Sequence, residues 1–130
     1  MKHVLTLTAL LLAQPALAQD TSPQDLIALY GAQSGAPPAP DAGRALFLSD
    51  QTGGKPDTPS CTTCHSADPT RAGQARTGKA IAPMAPRVAP ERFTDQKFVE
   101  KWFGRNCNSV LGRPCTAQEK ADIISWLNSL

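Results

Sequence analysis

A chain of 130 residues has room for one domain, and 13 basic against 11 acidic side chains give no charge excess of the kind that holds nucleic acid. With 12 prolines, 9 glycines and only 5% aromatic residues, the chain can bury a modest core by itself. Such a chain gains stability by packing around something large and apolar.

Met1, Lys2 and His3 form a short basic start, Val4 to Ala13 is an apolar run too short to anchor in a bilayer, and Ala16-Leu17-Ala18 has the small-residue pattern of a cleavage site. Residues 1–18 therefore read as a secretory signal peptide, and 19–130 as the mature domain. No further hydrophobic segment suggests a membrane span. Export places the chain in a periplasm, where disulfides persist. Loss of the leader also leaves one histidine, His65, and one methionine, Met84.

Ser22-Pro23 starts the first helix as an N-cap followed by proline, with Leu26, Ile27, Leu29 and Tyr30 as its apolar face to about Gln33. A proline-rich linker, 35–40, follows. Asp41 is the expected cap of a second helix from about Ala42 to Ser49, packing through Leu46 and Phe47. After a Gly/Pro loop, Cys61 to Ser66 reads as a helical turn, and Asp68 to Arg92 as loop. Thr94 is the expected cap of a helix from Asp95 to Phe103, stopped by Gly104, and Arg105 to Pro114 as loop. Thr116 with Glu119 three residues on is a capping box opening the last helix. Gly43, Phe47 and Trp126 are the expected crossing residues of an early and the last helix. The fold class is all-α, a small helical bundle.

The chemistry sits in Cys61-Thr62-Thr63-Cys64-His65. Two thiols at this spacing reach two vinyl groups of one porphyrin, and the next residue turns its imidazole onto the iron. C-x-x-C also serves zinc sites and thioredoxin-type pairs, but no second ligand pair and no βαβ pattern accompany it. The reading is one covalent heme c on Cys61 and Cys64, with His65 as the proximal iron ligand. The sixth ligand stays open: Met84, set between Pro83 and Pro86, an asparagine, a lysine or water. Cys107 and Cys115, eight apart in an exported chain whose other thiols are committed to heme, are expected to form a disulfide. It would hold the segment from Asn106 to Val110. Lys55, Lys79, Lys97 and Lys101 read first as a solvated face and second as a guide for an acidic partner.

Residues Thr52 to His65, Arg71-Ala72-Gly73, Gly78-Lys79 with Ile81-Ala82-Pro83, Arg92 to Asp95, and Gly104 to Ser109 together resemble the sphaeroides heme proteins, the SHP group of class I cytochromes c. The similarity runs from Thr21 into the last helix. It implies a class I cytochrome c fold, Asn106 as the sixth ligand of the oxidised state, and a disulfide at Cys107 and Cys115 beside it. It implies that the asparagine leaves on reduction, opening a high-spin site to oxygen, carbon monoxide or nitric oxide. It also implies a diheme cytochrome c or similar redox protein as partner. Two alternatives stand beside this: a low-spin electron shuttle with Met84 on the iron, and a reductase of oxygen or nitrogen oxides. With His65 already on iron, no free imidazole remains for acid–base catalysis, so an electron carrier that binds gas is preferred to an enzyme.

Overall fold

The computed structural model describes residues 20–130. The expected leader lies outside them.

Helix α1 spans Pro23–Ser34. Ser22 caps it by accepting from the Asp25 N–H at 3.1 Å, and Gly35, at φ 73°, ends it. Its inward residues Leu26 and Tyr30 are fully buried. Helix α2 spans Pro40–Leu48. Its start differs from the expectation, because Asp41 is not the cap. The cap is Ala39, whose own side chain makes no capping bond; its N–H donates to Asp122 Oδ1 at 2.6 Å. Asp122 belongs to α4, Ala117–Asn128, so a distant residue secures this helix start.

Both α1 and α2 pack on α4. At the α2–α4 crossing the helices approach so closely that a Cβ on Gly43 would collide with the Asp122 carbonyl. Phe47 and Trp126 meet just beyond, with ring centroids 5.3 Å apart. These are the three crossing residues expected from sequence. Helix α4 opens with the expected capping box: Thr116 Oγ1 accepts from the Glu119 N–H at 3.1 Å, and Glu119 Oε2 accepts from the Thr116 N–H at 2.8 Å. Ile124 and Leu127 are fully buried, and with Leu26 and Tyr30 they form the centre of the core.

Helix α3 departs most from expectation. It spans Gln96–Leu111 and runs through Gly104. Its cap is Asp95 instead of Thr94, with the Asp95 carboxylate accepting from the Phe98 N–H at 2.8 Å. Glycine inside a helix costs about 1 kcal/mol relative to alanine but does not by itself terminate it. Termination needs a residue that takes the left-handed conformation, and Gly112, at φ 70°, supplies it. Cys107 and Val110 are buried on the inner face of the added turns, which repays the glycine. Asn106 therefore stands on a helix, not in a loop.

Between α2 and α3 the chain is loop around a 3₁₀ turn, Cys61–Thr63, which is shorter than the helical turn expected over Cys61 to Ser66. There is one addition: strands β1 (Gly73–Gln74) and β2 (Ala80–Ile81) pair antiparallel. Two-residue strands are too short to show as alternation in the sequence. Their placement matters more than their length: the Gln74 N–H donates to the Cys64 carbonyl at 2.8 Å, so the hairpin braces the 3₁₀ turn.

Candidate heme site

The 3₁₀ turn forms because short polar side chains satisfy its backbone. Ser60 and Thr63 cap it reciprocally, and the Cys64 and His65 N–H groups both point at the Cys61 carbonyl, at 3.4 and 3.0 Å. The turn gathers Cys61, Cys64 and His65 on one wall of a cavity of about 530 Å³. Neither thiol is in a disulfide.

The other walls come from elements remote in sequence. Phe98, Trp102, Phe103, Asn106 and Val110 line the cavity from α3; Ile81 and Met84 line it from the hairpin and the loop after it. Phe47 lies 6.0 Å from the His65 ring, so the α2–α4 crossing buttresses that imidazole through one aromatic contact. Burial, reinforced by the positive charge of Arg92, lowers the His65 pKa to about 4. The ring is thereby kept neutral, as a metal ligand requires. Burial pushes the Cys61 thiol up to about 11. His65 Nδ1 is buried with no hydrogen-bond partner among the described residues. A large apolar cavity holding two unbonded thiols and a neutral, underused imidazole fits a covalently tethered heme.

The two asparagines of the Asn106-Cys107-Asn108 segment part ways. Asn106 lines the cavity and is half-buried, whereas Asn108 is exposed and donates its amide N–H to the Gly104 carbonyl at 2.7 Å. Cys107 and Cys115 are joined as expected, with their Cα atoms 5.5 Å apart. The bond ties the turn that carries Asn106 to the start of α4. Met84 also lines the cavity and packs against the core cluster. Among the expected lysines, Lys79 reaches the cavity rim, while Lys55, Lys97 and Lys101 do not line it.

Sequence reasoning missed two wall features. Phe93, buried at φ 63°, is the one non-glycine residue among those described with positive φ, a conformation that phenylalanine rarely adopts. Thr58 is buried, and its hydroxyl donates to the Ser109 carbonyl of α3 at 3.1 Å and lies 2.8 Å from the Ser109 hydroxyl, linking the loop before the 3₁₀ turn to the turn after Asn106. Neither has a signal in the local sequence.

Residues 33–127 match a family described as a domain of unknown function, DUF1924. The chain is 68% identical to the cytochrome c-type protein SHP of Cereibacter sphaeroides, over 98% of each chain. The chain belongs to the SHP family of c-type cytochromes. A solved structure of oxidized SHP, described as an oxygen binding cytochrome c, superposes with a TM-score of 0.83 at 68% identity, covering 85% of this chain and 99% of that one. The solution structure of cytochrome c'' from Methylophilus methylotrophus, presented as insight into haem-ligand detachment, aligns at a TM-score of 0.69 and 33% identity, covering 83% and 93%. Like these SHP-type relatives the protein is a monoheme cytochrome with one covalent heme c, and Cys61 and Cys64 fit the attachment site. No helix among the described residues is long and apolar enough to cross a membrane.

Proposed function

We propose that this SHP-family protein is an exported, periplasmic redox protein in which His65 is the permanent iron ligand and Asn106 a displaceable one. It takes an electron from a protein partner, a diheme cytochrome c or similar, and in the reduced state binds oxygen or another diatomic molecule. The heme supplies one-electron chemistry and, where a coordination position opens, affinity for such molecules.

The observation that carries this reading is that Asn106 and His65 line the same cavity while Asn108, two residues on, faces solvent. An amide oxygen is a hard and weak donor, better matched to ferric than to ferrous iron. Reduction removes a positive charge and loosens the hold of Asn106. The helix around Asn106 is secured by the Cys107–Cys115 bond, so detachment calls for no more than a side-chain movement. The oxygen binding of oxidized SHP's own protein and the ligand detachment in cytochrome c'' support the reading by kinship.

The test is a set of ferric and ferrous spectra of wild type and Asn106→Ala. Wild type is expected to be high-spin when reduced and to take up carbon monoxide rapidly; Asn106→Ala is expected to alter the ferric spectrum. A low-spin ferrous form inert to carbon monoxide refutes the proposal. Met84 supports a second reading, a low-spin electron shuttle, because it too lines the cavity. That reading requires a far-red methionine-to-ferric-heme band that disappears in Met84→Ala.

A further inference from the structure

Two cationic side chains line the heme cavity, Lys79 and Arg92, and of these Lys79 is exposed while Arg92 is half-buried. The Arg92 guanidinium is held in place by backbone oxygens. Its Nε donates to the Pro83 carbonyl at 2.7 Å and its Nη2 to the Ala82 carbonyl, which leaves Nη1 out of both bonds. The ion pairs among the described residues are Arg76–Asp57, Arg113–Glu119 and Lys120–Glu100; Arg92 is in none of them. Of the carboxylates on the cavity wall, Asp95 is engaged at the start of α3 and Glu91 is exposed. Burial accordingly disfavours the Arg92 charge, offset only in part by the exposed Glu91 carboxylate, and the field of Arg92 reaches far enough to disfavour protonation of His65.

A half-buried cation whose nearest carboxylate is exposed and makes no ion pair with it is incompletely compensated, which is destabilising. A fold retains such a group where an anion completes it. The heme that fills this cavity brings two carboxylates, and a planar guanidinium is the side chain best shaped to receive one.

We propose that Arg92 binds a heme propionate and, through its two carbonyl bonds, fastens the Ala82–Met84 backbone to that propionate. Arg92 thus acts as a positioning residue. It fixes the heme against the loop that carries Met84, and its charge favours the ferrous state. The inference rests on the covalent heme and is independent of which residue is the sixth iron ligand.

Resonance Raman spectroscopy of the reduced holoprotein reads this directly, because the propionate bending band reports hydrogen bonding to the carboxylate. In Arg92→Gln the band is expected to move to lower frequency and the midpoint potential to fall, by the equivalent of about tenfold in the ferric–ferrous equilibrium. Arg92→Lys keeps the charge and loses the fork, so the band shifts while the potential stays near wild type. Lys79→Gln leaves the band in place. A heme-loaded Arg92→Gln protein with wild-type helical circular dichroism and an unmoved band overturns the proposal, as does a band that follows Lys79→Gln instead. Should Arg92→Gln fail to mature, an unmoved band in Arg92→Lys overturns it equally. The Asn106→Ala spectra are unaffected by either result, so the two proposals fail separately.

Discussion

Asn106 and Asn108 are identical side chains two positions apart on α3, and the helix sends them to opposite environments. A helix turns about 100° per residue, so a spacing of two places side chains on different faces. Asn106→Ala is therefore expected to change the ferric absorption spectrum, and Asn108→Ala to leave it as in wild type; identical spectra for both variants would remove Asn106 from the iron. Met84 offers the converse case. Its side chain packs on the core cluster, where a thioether fills irregular space. Met84→Leu preserves volume, so a destabilisation of less than about 1.5 kcal/mol is expected in denaturant titration, with unchanged ferric and ferrous spectra. Spectral change on that substitution would favour the methionine-ligated reading.

Two elements carry most of the load between the fold and the site. The α2–α4 crossing supports His65 through Phe47, and Gly43 lets the helices approach. Gly43→Ala drives a methyl group into the Asp122 backbone, and a loss of about 1–3 kcal/mol is expected by thermal or chemical unfolding. The C-terminal half of α3 is tied to α4 across eight residues by the Cys107–Cys115 bond. Replacing both by serine is expected to lower the unfolding free energy by about 2–3 kcal/mol and to broaden the ferric spectrum as the Asn106 turn loosens. At the start of α4, Glu119 closes the capping box and also pairs with Arg113 at 2.7 Å. The Arg113 bond holds the Glu119 carboxyl below the usual carboxylate range, against an opposing effect of burial. A carboxyl whose folded pKa is depressed stabilises the fold above its unfolded value and loses that contribution as the pH falls through its folded value. Glu119→Ala is expected to cost about 1 kcal/mol at neutral pH, and the difference from wild type should shrink on acidification. A pH-independent difference would rule out the ionised Glu119 carboxylate as the source of the loss.

For the molecule as a whole, the core is formed mainly by α1, α2 and α4, with Phe93 and Val99 added, and the cavity walled by the 3₁₀ turn, the hairpin loop and α3 abuts it along Leu46, Phe47 and Ile123. α3 buries only Val99, Cys107 and Val110, so its remaining inward surface depends on what fills the cavity. Cys61→Ala with Cys64→Ala is expected to yield a chain with reduced helical circular dichroism and a broad, low-temperature melt. A sharp wild-type melt in that variant would show that the protein core suffices.

Much of this was legible in one dimension. The covalent heme site occupies five consecutive residues, and the capping box, the first helix and the paired cysteines follow from short-range spacing. Such features depend on side chains meeting across one or two turns, which sequence separation alone determines. The extent of α3, the start of α2 and the environment of Arg92 were decided elsewhere. Gly104 is a helix terminator only if the chain leaves the helix there, and burial of Cys107 and Val110 keeps it in. Asp122 caps a helix 83 positions earlier, and Arg92 meets the carbonyls of Ala82 and Pro83 across a loop. These partners are fixed by packing of distant segments, which no local pattern encodes.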